Sequence, residues 1–131
     1  MSDKLTPSIV TFFLARMGEH NRVASYRQIE ADECLFELSR NDGLPNVTVH
    51  LSNAYEYTDG EYIARPSQIG RGDFVLIARP EAIWNDDVPM QIVETARGDG
   101  IGIGKIGKLM GALNFAEIWK FRTRGEREFR K

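Results

Sequence analysis

Gly100 to Asn114 reads GIGIGKIGKLMGALN, and the fold of this 131-residue chain turns on how that stretch and the residues just before it are arranged. It holds five of the chain's twelve glycines and two lysines. At about 100° per residue, Ile106, Leu109, Met110 and Leu113 share one side, the i, i+3, i+4, i+7 spacing of a helix laid on a core. Lys105 and Lys108 lie beside that face, and Gly104, Gly107 and Gly111 form a second stripe roughly opposite. Each glycine inside a helix costs about 1 kcal/mol relative to alanine. A helix built for close approach is therefore expected, the neighbour being another chain segment, a second subunit or a ligand phosphate.

Immediately upstream, residues 88–97 (VPMQIVETAR) have two readings. As a helix, Asp87 caps it, Val88 and Pro89 occupy the first turn, Ile92, Val93 and Ala96 share one face, and Gly98 stops it. As a strand, Met90 to Thr95 (MQIVET) joins a sheet. The stop signals at both ends favour the helix.

Working outward, Thr6-Pro7 followed by Ile9, Val10, Phe12, Phe13, Leu14 and Met17, then Gly18, reads as a capped amphipathic helix. VASYRQIEADE (Val23 to Glu33) is ambiguous and is taken as a strand. CLFELSR (Cys34 to Arg40) and VTVHL (Val47 to Leu51) alternate like half-buried strands, and the Asn-Asp-Gly-Leu-Pro-Asn between them is turn chemistry, so a hairpin is predicted. Asn53 to Asp73 reads as a polar surface loop with a Thr-Asp-Gly turn and an extended Arg65-Pro66, its tyrosines Tyr55, Tyr57 and Tyr62 packed at a sheet edge. FVLIA (Phe74 to Ala78) is a continuous apolar run, the pattern of a central strand buried on both faces. EIWKF (Glu117 to Phe121) reads as a last strand, and residues 122–131 as a basic, frayed tail. The sum is one α+β domain over residues 1–131: a small mixed β-sheet with an N-terminal helix and a glycine-rich helix packed on it.

A content of 42% apolar and 27% charged residues indicates a soluble globular chain. No apolar run approaches the roughly 18 residues of a membrane span, and the start has no small-residue cleavage site, so a cytoplasmic protein without membrane contact is expected. Cys34 is the single cysteine, which excludes an intrachain disulfide and a multi-cysteine zinc site and reads as a small core residue. The net charge of −2 conceals an asymmetry. Residues 1–104 carry 9 Lys/Arg against 16 Asp/Glu, and residues 105–131 carry 8 against 3. Such a basic end attracts nucleic acid or an acidic partner, or folds back on the acidic body.

Gly102-x-Gly104-x-x-Gly107 matches a dinucleotide-binding string, but the chain after it has no room for the required βαβ unit and distal acid. GIGKIGK (Gly102 to Lys108) matches the opening of a phosphate loop, yet Leu109 stands where Ser or Thr must hold magnesium. With 88–97 helical, the succession of helix, Gly102-Ile103-Gly104 turn and second helix resembles the helix-hairpin-helix family of DNA-backbone binders. The resemblance implies phosphate binding at Gly102, Gly104, Lys105 and Lys108, because amides at a helix N-terminus and nearby lysines attract phosphate. It departs from the family in a turn lengthened by Gly98-Asp99-Gly100.

The element order of the whole chain resembles the restriction-endonuclease-like core, whose metal site uses an Asp opening one strand and a Glu-x-Lys on the next. If Met90 to Thr95 is a strand, the resemblance implies Asp73 and Glu94 as magnesium-binding, catalytic carboxylates for phosphodiester hydrolysis. Alanine at 96 stands where the lysine belongs, implying a degenerate site. Asp73 otherwise reads as a turn or cap residue. His20 and His50 read as surface or strand-face residues, Trp84 and Trp119 as packing residues, and no Ser or Cys has a nucleophile context.

The expected function is non-catalytic, non-specific binding of nucleic-acid phosphate backbone through Gly102 to Lys108, helped by Lys120, Arg122, Arg124, Arg127 and Arg130, with no cofactor. Two alternatives stand beside it. One is a protein-interaction or homo-oligomerisation module using the Gly104/Gly107/Gly111 face, with a second copy or an acidic protein as partner. The other is a magnesium-dependent nuclease with a degenerate site.

Overall fold

The computed structural model describes residues 7–30, 34–53, 57–78 and 88–123. Helix α1 (Pro7–Glu19) leads into three strands, β1 (Val23–Glu30), β2 (Leu35–Arg40) and β3 (Val47–Ser52). A short helix α2 (Asp59–Ile63) precedes β4 (Phe74–Ile77), which is followed by α3 (Met90–Gly98), β5 (Gly102–Gly104), α4 (Ile106–Ala112) and a 3-10 turn at Ile118–Lys120. The five strands form one sheet in the order β1-β2-β3-β4-β5. β1, β2 and β3 run antiparallel, whereas β3/β4 and β4/β5 are parallel. The fold is α+β, with the first helix N-terminal to a mixed sheet.

Alternation along the strands sorts the core into two layers. Phe36 and Leu38 of β2, Val47, Val49 and Leu51 of β3, and Phe74 and Leu76 of β4 meet Phe13 and Met17 of α1 and Leu109, Ala112 and Leu113 around α4. On the opposite face Leu35, Val75 and Ile103 meet Tyr62 of α2 and Ile92, Val93 and Ala96 of α3. β4 is buried on both sides, as its unbroken apolar run requires. β1 is an edge strand with register shifts at Val23/Ser25 and Gln28/Glu30, irregularities of the kind that blunt a sheet edge.

The helical reading of 88–97 holds: α3 buries Ile92, Val93 and Ala96. Its cap differs, because Pro89 occupies the N-cap position and Asp87 lies outside the described residues. Its stop is Gly100, not Gly98. With φ +79 at Gly100, the Ile101 amide donates to the Ala96 carbonyl (2.8 Å) and the Gly100 amide to that of Arg97 (3.0 Å), the paired bonds of a left-handed glycine terminus.

Four further expectations are corrected. Gly18 does not end α1, which continues to Glu19. Gly104 is not on a helix; Gly102–Gly104 is a strand, and the helix begins only at Ile106. The Asn53 to Asp73 segment is not all loop, since Thr58 caps α2 by accepting the Glu61 amide at 3.2 Å, so Thr-Asp-Gly opens a helix where a turn was expected. Tyr57 and Tyr62 consequently sit in the core, and Tyr55 lies outside the described residues. Finally, EIWKF forms a 3-10 turn where a strand was expected. Three residues per turn allow Ile118 and Phe121 both to face inward, against Gly102 and Gly111 respectively.

Candidate nucleic-acid interface

The glycines of the opening stretch have separate, internal reasons. A Cβ at Gly102 would lie 2.6 Å from Cδ2 of Phe74 and 3.1 Å from Cδ1 of Ile118. At Gly104 it would lie 2.6 Å from Cδ of Lys108, and at Gly111 it would strike the ring of Phe121. Gly107 differs: it is exposed, with nothing among the described residues within 4 Å of such a Cβ.

That packing disperses the expected phosphate cradle. The Gly102 amide donates to the Asp73 carbonyl (3.0 Å), and Gly102–Gly104 extends along β4, so the stretch is helix, strand, helix and not helix, hairpin, helix. Lys108 is buried at 7% exposure, its stem laid against Gly104, and Lys105 is half-buried. Of the basic C-terminal residues, Lys120 is exposed beside Glu117 (2.7 Å) and Arg122 is half-buried against Glu94 (3.4 Å). Arg124, Arg127 and Arg130 lie outside the described residues.

The structure instead gathers basic residues from three segments around Trp119. Arg71, in the loop before β4, places its guanidinium 4.6 Å from the centre of the Trp119 ring, a cation–π stack. Gly100 makes room for it: a Cβ there would fall 2.5 Å from Cγ and 2.9 Å from Nη1 of Arg71, and the Gly72 amide ties the two loops together by donating to the Gly100 carbonyl at 2.8 Å. Arg97, at the end of α3, donates from Nε to the Trp119 carbonyl (3.1 Å) and pairs with Glu94 at 3.0 Å. Lys120 and Arg122 follow the tryptophan in sequence. Four cations, Arg71, Arg97, Lys120 and Arg122, thus stand with three carboxylates, Glu94, Glu117 and Asp99, the last of which accepts the Tyr62 hydroxyl at 2.5 Å. Burial, then that hydrogen bond to Asp99, push the Tyr62 phenol up to about 12. Trp119 packs against the core as expected, and it is half-buried with an exposed arginine on its face. Arg71 and Arg97 carried no signal in the sequence, because what assembles them is the left-handed turn at Gly100.

The nuclease arrangement required a strand over 90–95, and those residues are helical. Glu94 is held by Arg97 and Arg122. Asp73 accepts the Thr48 amide on Oδ1 and the Gly70 amide on Oδ2, each at 2.9 Å, as a turn residue does. Burial raises its carboxyl above the ordinary value against the opposing pull of those amides. The strand after β4 is Gly102–Gly104, which brings no carboxylate, and no group of three His, Cys, Asp or Glu side chains suited to a metal occurs among the described residues. These residues do not fit a magnesium site.

Other buried polar groups are structural. His20 accepts the Arg22 amide on Nδ1 (3.0 Å), so Nε2 carries the proton that it donates to the Met110 carbonyl at 2.8 Å. Arg40, 7% exposed, donates to the carbonyls of Pro45 (2.7 Å), Leu113 (3.0 Å), Phe115 (2.7 Å) and Ala116 (3.3 Å), clamping the chain just past α4 to the β2–β3 turn. His50 stands on a strand face as expected, where burial lowers it to about 4. Its Nδ1 and the Tyr57 hydroxyl have no hydrogen-bond partner among the described residues. Cys34 is half-buried at φ +50.

In comparisons with known proteins, no family model matches the chain, and no curated sequence and no solved structure is significantly similar to it. Among the described residues, no helix is long and apolar enough to cross a membrane.

Proposed function

We propose that this protein binds the phosphate backbone of nucleic acid without catalysing a reaction, through the basic surface around Trp119. The observation that carries the reading is Arg71 set over the half-buried Trp119 indole, with Arg97 bonded to the Trp119 carbonyl and Lys120 and Arg122 next along the chain. Guanidinium and ammonium groups supply sequence-independent attraction to phosphates, and the positive end of the sequence continues beyond it. Gly102 and Lys108 are not part of this surface, since both residues are buried.

Anisotropy titration of labelled oligonucleotides at low and moderate salt tests it. For about four phosphate contacts, log affinity should fall against log salt with a slope of about −3. The double change Lys120→Glu and Arg122→Glu should weaken binding at least roughly tenfold and flatten that slope. Absence of binding at the lowest salt would remove the reading.

A second reading, self-association through α4, is favoured by one observation: Gly107 is exposed, and among the described residues nothing beyond its own helix backbone and chain neighbours comes within 4 Å of a Cβ placed there. A partner helix packed there would be displaced by a larger side chain. Sedimentation of the wild type and Gly107→Leu decides it, a monomer in both cases ruling out a dimer at this face.

A further inference from the structure

We propose that the surface around Trp119 takes single-stranded nucleic acid, with one unpaired base stacked on the outer face of the Arg71 guanidinium so that base, guanidinium and indole form a three-layer stack. The inference rests on the nucleic-acid reading above and adds the form of the strand. Arg71 is exposed, and its guanidinium carbon stands over the indole, 4.6 Å from the ring centre. Its position is built. Gly100 has no side chain, where any Cβ would meet Arg71 at 2.5 Å, and adopts φ +79, a conformation that disfavours replacement. The Gly72 amide bonded to the Gly100 carbonyl at 2.8 Å fixes the loop from which Arg71 rises. Arg97 donates from Nε to the Trp119 carbonyl at 3.1 Å, which anchors the backbone that carries the indole. Flat, pre-ordered guanidinium and aromatic faces are what unstacked bases use, whereas bases within a duplex have their faces covered by their neighbours.

Two further features point the same way. Phe115 is 44% exposed and stands edge-on to Phe121 at 5.6 Å, which adds an aromatic group to the stretch that carries Trp119, Lys120 and Arg122. Stacking groups interleaved with cations suit a strand whose bases and phosphates alternate. The exposed position of α4 at Gly107 offers no side chain to read a duplex groove.

The experiment compares an oligothymidine of about 15 nucleotides, within the usual span of single-strand sites, with a duplex of equal length at low salt. Anisotropy gives the affinities, and tryptophan emission in a Trp84→Phe background reports Trp119 alone. The single strand is expected to bind at least roughly tenfold more tightly than the duplex and to quench Trp119. Arg71→Lys keeps the charge but removes the planar face, and is expected to lower the ratio of single-strand to duplex affinity roughly 5- to 50-fold, with the melting temperature serving as a control for folding. Equal affinity for the two forms, or an unchanged ratio in Arg71→Lys, would overturn the single-strand inference while leaving backbone binding in place. No binding of either form would overturn both. An oligouridine in parallel distinguishes RNA from DNA as the preferred strand.

Discussion

Gly107, Gly111 and His50 show how differently single positions respond to the same kind of substitution. At Gly107 an added methyl meets nothing within 4 Å among the described residues, so Gly107→Ala should stabilise the protein by about 0.5–1 kcal/mol, a gain readable as a higher melting temperature. At Gly111 the same methyl meets the Phe121 ring, and Gly111→Ala should destabilise by about 1–3 kcal/mol. His50 sets a pH dependence. Its folded value of about 4 lies below the ordinary 6.5, so the native state prefers the neutral imidazole. Stability should therefore be fully present above about pH 6.5 and decline as the pH falls towards 4, by at most about 2 kcal/mol allowing for solvent screening at this partly exposed group. Asp73, with its raised folded value, acts in the opposite sense at the acid end, regaining stability as it protonates. Denaturation of the wild type and His50→Gln across this range should show the slope reduced in the variant; identical slopes would exclude His50 as its source.

At the scale of elements, much of the fold was legible because hydrophobic period and stop signals agreed. The apolar run at Phe74 to Ala78 gave a two-sided strand, and Ile92, Val93 and Ala96 gave the face of α3. Where they disagreed, the longer pattern hid a shorter one. The helical wheel correctly placed Leu109 and Leu113 in the core, but GIGIG also alternates with period two, which puts Ile101 and Ile103 together in the α3 layer and leaves the glycines against Phe74 and Lys108. The α2 start was similarly readable from Thr58-Asp59-Gly60-Glu61, a threonine three residues before a glutamate, although Thr-Asp-Gly by itself resembles a turn. Thr58→Ala should cost this helix about 1 kcal/mol, seen as faster hydrogen exchange at the Tyr62 amide, which bonds the Thr58 carbonyl at 3.0 Å. Unchanged exchange would mean that burial of Tyr62 alone sets the helix. The candidate surface was the least legible part. Basic residues at its C-terminal end could be counted, but Arg71 and Arg97 join it only through tertiary contacts that no local pattern encodes.

Across the molecule, the charge asymmetry of the sequence is partly resolved by contact. Arg122 reaches Glu94 on α3, which joins the positive end to the acidic body, while Arg71 and Lys120 remain exposed. The long-range order of the sheet has a kinetic counterpart in Arg40. Its carbonyl partners Leu113, Phe115 and Ala116 lie more than 70 residues downstream, whereas β2 and β3 are neighbours in the chain. Closing so long a loop is entropically late, so the hairpin is expected to form first, with a hydrated guanidinium that loses its water when α4 docks. Arg40→Met, which strands several carbonyls, should lower stability by about 3 kcal/mol. On a denaturant chevron that loss should appear almost wholly as faster unfolding, with the refolding arm unmoved. Arg40 would then act as a latch on the finished protein, setting how long the native state lasts once formed and leaving the speed of its formation unchanged.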